Sequence, residues 1–184
     1  MANDAANVSV TKGVIGGYCF IAPTGTTLPT DYTTALDVAF LNVGYISDAG
    51  VTHSKSSSST DFFDINGTLV ESAAGQTTRT AKLKFLEINE VAMKEAKGQT
   101  NVTNSAGDLS YTDNDTAMTT RSMVLELVLK NGRKFRRVIP VCKVTEWGDE
   151  VDVSTDLAGY ELTYTKLADS SGNFEYGYVE KKIS

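Results

Sequence analysis

The residues with the means to do chemistry are few, and their spacing serves none of the common reactions. His53 is the only histidine in the chain, so no pair of histidines exists to build a metal site, and one imidazole between Thr52 and Ser54 reads as a surface loop residue. Cys19 and Cys142 lie far apart in a chain without an apparent export signal, and they read as reduced core thiols. Carboxylates crowd into EWGDEVDVSTD, which holds Glu146, Asp149, Glu150, Asp152 and Asp156. Grouped oxygens suit calcium, but this segment lacks the glycine and ligand spacing of an EF-hand and reads as a solvated connection. The opposite charge gathers in KNGRKFRR, with Lys130, Arg133, Lys134, Arg136 and Arg137. A nucleic-acid patch would need interleaved aromatic rings, and Phe135 is the only one there. That segment therefore reads as a charged hairpin that pairs with acidic stretches of its own or a neighbouring chain. Trp147 with Tyr160, Tyr164, Tyr176 and Tyr178 could line a sugar platform, but their alternation within strands favours core or interface packing. No catalytic, cofactor or metal-binding set emerges, and the expected protein is not an enzyme.

The elements that position these residues are mostly strands. GYCFIAP forms a first strand that Pro23 stops, and TRTAKLKFLEI alternates Ala81, Leu83 and Phe85 against Thr80, Lys82 and Lys84, as a half-buried strand does. TDYTTALDVAFLNVG opens either a short helix capped by Thr30 or Asp31 or an irregular stretch. One helix is expected over residues 89–97, with Asn89 as cap, Glu90 at its positive end, Lys94 and Lys97 near the other, and Gly98 ending it. GQTNVTNSAGDLSYTDND is a loop or irregular hairpin. In RSMVLELVLKNGRKFRRVIPVCKVTEW, Asn131-Gly132 between two runs of β-formers predicts a two-residue type I′ turn. That register sets Glu126 opposite Arg137, between Val128–Phe135 and Val124–Ile139. GYELTYTKL and FEYGYVEKK read as a terminal pair joined at Ser170-Ser171-Gly172. A turn is expected at Asp48-Ala49-Gly50, followed by a mobile serine-rich loop over about residues 48–61 that includes His53, Ser56, Ser57, Ser58, Ser59 and Asp61.

Composition agrees with one β-rich domain behind a short arm, residues 1–12 and 13–184. Hydrophobic residues at 41% and only three prolines accompany abundant valine, serine and threonine. Lys+Arg 17 against Asp+Glu 23 gives 17 − 23 = −6, so a general affinity for phosphates is not expected. The N-terminus MANDAANVSV has neither a basic region nor an apolar run, and no stretch approaches a membrane span. A soluble protein made in the cytoplasm is the expectation.

The ordered set APTGTTLPTD, VGYISDAGV, a Ser/Thr stretch running to FFDINGTLV, and TAKLKFLEINEVA resembles the tail tube (major tail) proteins of long-tailed, non-contractile bacteriophages. LVLKNGRKFRRVIPVCKVTE and DLAGYELTYTKLADSSGN fall where that family has its hairpin and closing strands, so the resemblance runs from about Gly13 to Asn173. Two departures stand out. Relatives often carry a tryptophan before the glycine of Asn66-Gly67, and many append an immunoglobulin-like C-terminal domain for which this chain is too short.

The resemblance implies a mainly antiparallel β-sandwich or barrel with one flanking helix, and no cofactor. It implies six-membered rings whose sheets join around a channel, and stacked rings that form the virion tail tube through which DNA leaves. Partners would be other copies, the tape measure, tail terminator and tail tip or baseplate proteins, and DNA in passage without specific binding. On this reading Asp48–Asp61 is the contact between rings, and the hairpin of Glu126, Asn131, Gly132, Arg133, Lys134, Arg136 and Arg137 belongs to the ring. Its basic side chains would meet Glu146, Asp149, Glu150 and Asp152 across subunits, leaving an acidic channel that repels DNA. Two other classes stay open: the tube protein of a contractile tail or type VI secretion system, and a β-sandwich glycan-binding module.

Overall fold

A computed structural model describes residue 3 and residues 8–181, apart from the side chain of Asn131. Eleven strands and one α-helix follow one another along it: β1 (Thr11–Gly13), β2 (Cys19–Pro23), β3 (Leu41–Asn42), β4 (Thr52–Phe63), β5 (Leu69–Phe85), α1 (Glu90–Lys97), β6 (Val102–Ser105), β7 (Asp108–Tyr111), β8 (Arg121–Leu129), β9 (Lys134–Trp147), β10 (Tyr160–Leu167) and β11 (Tyr176–Val179). Nine of the strands form one antiparallel sheet in the order β3-β2-β8-β9-β10-β5-β4, with β1 also on β8 and β11 also on β9. Of the expected N-terminal arm over residues 1–12, positions 1, 2 and 4–7 lie outside the described residues. Its end is part of the sheet, since β1 runs across the 12/13 boundary.

The β8–β9 hairpin is the centre of the fold, covered on both faces. One face of β8 turns Met123 and Leu125 into the main core with Cys19, Ile21, Leu83, Phe85, Ile139, Leu162 and Tyr164. The other face buries Val124 with Val138, Ala22 and Phe40 under the irregular segment of residues 24–40. That segment is the expected short helix in its irregular alternative. Asp31 does offer capping geometry, accepting from the Thr33 and Thr34 amides at 2.6 Å each, but no helix follows. The helix expected over residues 89–97 is present: the Asn89 side chain accepts from the Ala92 amide at 2.9 Å, and the Gly98 amide donates to the Lys94 carbonyl. Ala92, Met93, Glu95 and Ala96 face the core.

Three local expectations need correction. The β8–β9 turn is not a two-residue type I′ turn: it closes over Lys130–Gly132 as a 3₁₀ turn, with the Leu129 amide donating to the Arg133 carbonyl at 2.7 Å and Gly132 at φ 76°. Three-residue hairpin loops place a glycine in the left-handed region in this way. The extra loop residue slides the register by one, so Glu126 opposes Arg136 instead of Arg137, Leu127 opposes Phe135, and Val124 opposes Val138. A slip of one exchanges the faces of every side chain. Positive φ at two successive turn residues occurs instead between β6 and β7, at Ala106 (φ 55°) and Gly107 (φ 102°), in the segment left open as loop or hairpin.

The second correction concerns the last two strands. β10 and β11 do not pair with each other: both run antiparallel to β9, β10 against Val141–Trp147 and β11 against Phe135–Val138. With 14 residues, β9 is long enough to serve both end to end, and the turn closed by Gly172 (φ 80°) is part of the excursion between them.

The third concerns the serine run, which is a strand and not a loop. Ser56, Ser57 and Ser59 of β4 pair with Thr78, Thr77 and Ala74 of β5. A backbone ladder needs donors and acceptors, not apolar side chains, so polarity alone did not decide the matter. The turn expected at Asp48-Ala49-Gly50 precedes this strand, with the Gly50 amide on the Ser47 carbonyl at 2.8 Å.

Gly132 supplies the test of the central turn. A Cβ there meets nothing within 4 Å, so Gly132→Val adds backbone strain without a clash, and should cost about 1–2 kcal/mol in chemical denaturation. Unchanged stability would show that the glycine is not held at positive φ.

Candidate functional site

The features without partners gather at the margins of the sheet. β10 pairs with β5 only from Thr80 to Phe85. Beyond Thr80 the β4–β5 hairpin has no third strand among the described residues, and at roughly 3.3 Å per residue it extends by about 35 Å. Its shaft is mostly serine, threonine, alanine, glutamine and glycine, with Lys55, Asp61, Glu71 and Arg79, and is largely exposed on both faces. The tip is different in character. Phe62 and Phe63 end β4, Leu69 and Val70 begin β5, and Ile65 stands fully exposed between them. Asp64 sets that turn: its carboxylate accepts from the Asn66 amide at 2.9 Å and the Thr68 amide at 2.7 Å, and Gly67 takes φ 79°. These hydrogen bonds favour the ionised carboxylate and hold its pKa below the usual range.

His53 lies at the base of this hairpin and is not a surface loop residue. Its Nδ1 is 3.0 Å from Lys166 Nζ on β10, so the neutral ring accepts from the ammonium. Lys166 also binds Glu175, whose other oxygen takes Arg137 of β9 at 2.9 Å. Burial first, and then the positive charges of Lys166 and Arg137, lower the His53 pKa to about 4, against the opposing pull of Glu175. Asp48 lies in the exposed turn just before β4, and Asp61 accepts from the Ser72 hydroxyl near the tip.

The basic hairpin residues divide between the two faces of the sheet. Arg136 is buried and binds Glu126 through Nε at 2.8 Å and Nη2 at 2.6 Å, while Nη1 donates to the Asp31 and Thr34 carbonyls at 2.7 Å each. Arg133 donates to the Glu180 carbonyl, and Lys134 is exposed without an ion pair among the described residues. The acidic segment is drawn elsewhere in the subunit. Glu150 pairs with Lys97 at 2.7 Å and Asp156 with Lys84 at 3.6 Å, while Glu146, Asp149 and Asp152 are exposed. The two charge clusters therefore do not meet within one subunit.

Sequence reasoning missed a buried polar group. Glu95 lies in the apolar stripe of α1, 1% exposed, with Arg121 Nε at 2.8 Å, the Tyr164 hydroxyl at 3.1 Å and Gln99 at 2.9 Å. Burial pushes its carboxyl pKa up against the pull of Arg121. The available signal was a charged residue at a core-facing position of a short helix, and an arginine opening an apolar strand. Tyr160 and Tyr164 are buried, Tyr176 and Tyr178 pack on the second cluster, and Trp147 Nε1 donates to the Ala96 carbonyl at 2.7 Å. The tyrosines thus pack into the fold and do not form a solvent-facing row.

The described residues thus form a core covered on both faces beside a long exposed arm with an apolar end. The family model for phage tail tube proteins matches residues 1–182, and the chain belongs to that family. It is a structural component of a bacteriophage tail. A search of curated proteins finds no match.

The His53 cluster gives a pH dependence with a defined sign. An unfolded histidine titrates near 6.5 and the folded one at about 4, so the unfolded chain binds more protons between these values. Stability is full above about pH 6.5 and falls as pH drops toward 4. Thermal melts from pH 7 to 4.5 should show this decline in the wild type and a flatter profile in His53→Gln, which keeps an acceptor for Lys166. Parallel profiles would exclude His53 as the titrating group.

Proposed function

We propose that the chain builds the tube of the tail as stacked rings, six copies to a ring, and that the tube is the conduit for DNA ejection. The observation that carries this reading is the β4–β5 hairpin, a two-stranded ribbon that leaves the domain and ends in apolar side chains. Such ribbons are marginal alone in water, and a partner outside the subunit supplies what they lack. The hairpin reaches from one ring to the next, with Ser56, Ser57, Ser58 and Ser59 in its shaft. Within a ring, the β8–β9 hairpin and the exposed sheet margins meet neighbouring copies, since strand edges are suited to addition of further strands. The tape measure, terminator and tip or baseplate proteins would cap and template the same surfaces. Assembly takes place in the host cytoplasm before the tail joins the virion. An acidic channel wall would let DNA pass without adhesion.

Electron microscopy of the purified protein tests the reading directly. Replacing Ser57–Thr77 by Asn-Gly joins Ser56 to Thr78, which face each other in the ladder, through a two-residue turn. This shortened protein should melt like the wild type yet form no tubes. Normal tubes from it would remove the hairpin from the contact between rings.

Contacts within the ring include a charge arm. Because Arg136 is buried in its own subunit, the exposed Lys134 takes its place in facing Asp149 and Asp152 of a neighbour. Lys134→Glu should slow assembly in light scattering, Asp149→Lys should restore part of the rate, and added salt should slow the wild type, as expected for exposed pairs. Unchanged rates in all three would leave apolar and strand contacts as the only ring forces.

A further inference from the structure

The β1–β8 side of the sheet carries an open groove of about 580 Å³. Val10, Gly13, Val14 and Ile15 around β1 and Val128 and Leu129 at the end of β8 line it. Ile15 is fully exposed and Val10 largely so, although both adjoin a paired strand. Lys12 and Lys130 stand at the groove as its charged residues, and among the described residues no carboxylate lines it. The Lys130 amide donates to the Ser9 hydroxyl at 2.8 Å, which ties the segment before β1 to the turn after β8.

The tip of the β4–β5 hairpin has the complementary character. Residues 61–72 contain Asp61, Asp64 and Glu71 and no lysine or arginine, around the exposed Phe62, Phe63, Ile65 and Leu69. Its turn is already fixed by the Asp64 carboxylate, so little order has to be imposed on docking. Groove and tip lie on opposite margins of the sheet, one by β1 and β8, the other at the end of β4 and β5. Every copy thus has one apolar acidic projection and one apolar basic recess. A contact between such unlike surfaces is heterologous, and it propagates from copy to copy instead of closing a pair.

We infer that the hairpin tip of one copy seats in this groove of a second copy, with Phe63 and Ile65 against Val10, Ile15 and Leu129 and with the acids of the tip facing Lys12 and Lys130. The inference rests on the tube reading for its setting and adds to it the receiving surface. Opposite charge at the rim selects the orientation, and the apolar centre holds it.

The test uses two full-length variants, Ile65→Cys and Ile15→Cys, mixed under assembly conditions and oxidised, one of them carrying a size tag so that mixed dimers are distinguished from like pairs. Cys19 and Cys142 are fully buried and serve as the silent background. Val38→Cys, exposed away from the groove, replaces Ile15→Cys in the control mixture. Mixed dimers several-fold more abundant with Ile15→Cys than with Val38→Cys are expected. Lys12→Glu with Lys130→Glu should lower that yield several-fold, and Glu71→Lys on the tip-bearing chain should restore part of it. Tubes visible by microscopy with no preference for Ile15→Cys would overturn the docking while leaving the tube reading intact. Preferential dimers in a protein that makes no tubes would keep the docking and sink the tube. Neither tubes nor preferential dimers would remove both. Cross-linking within one chain of the Ile65→Cys/Ile15→Cys double variant, without dimers in the mixture, would assign the groove to the same copy's own hairpin and overturn the inference.

Discussion

Arg136 holds its guanidinium under a cover of residues 24–40 and engages all three of its nitrogens there, on the Glu126 carboxylate and on the Asp31 and Thr34 carbonyls. A charge at that depth must keep its partners, because leaving one unpaired costs far more than the pair itself contributes. This requirement fixes which face of β9 turns toward β8's second cluster, and hence that Arg137, Ile139 and Phe135 share the other face. It also ties the irregular segment to the sheet, so that Phe40 and Leu36 cover Val124 and Val138. The strands that add to either side of this hairpin inherit its register. β1 and β2 share one margin and β10 and β11 the other, each pair interrupted where the chain loops out.

What could be read beforehand was whatever depends on neighbours in sequence. Ala81, Leu83 and Phe85 alternate into the core, and Asn89 and Gly98 bound the helix, because strand pleat and helix capping are local rules. An ion pair to Glu126 was also legible, but not its partner, since one extra residue in the turn decides between Arg136 and Arg137 and both types of turn accept Asn-Gly. The end-to-end placement of β10 and β11 depends on the length of β9, which their own sequences do not encode. His53 looked solvent-facing because Lys166 and Glu175, the groups that enclose it, are remote in the chain. The exposure of the apolar residues in FFDINGTLV follows from the ladder that carries them beyond the rest of the sheet, which their own sequence does not encode.

The shaft of the hairpin has a composition suited to a strand edge that must stay in water. Ser, Thr and Lys along β4 present backbone donors and acceptors with little apolar surface to reward pairing with an unrelated chain. The apolar side chains are confined to the tip, where the chain already turns and a further strand cannot be added indefinitely. Separation of this kind allows a long exposed ribbon without the usual hazard of edge-to-edge aggregation.

The ladder of that ribbon is broken twice, between Ser57 and Ser59 and between Phe62 and Phe63. At the first break Gly75 lies so close to Ser58 that an added Cβ would approach its hydroxyl to 2.3 Å. Bulges bend and overtwist a ribbon, so the stiffness of the arm is uneven: firm at its root, where β10 supports it, and compliant at two fixed joints farther out. In a tail, curvature imposed from outside would be taken up at those joints, like strain in the spokes of a wheel and not in its hub. The body of each copy would then keep its own geometry while the arm bends.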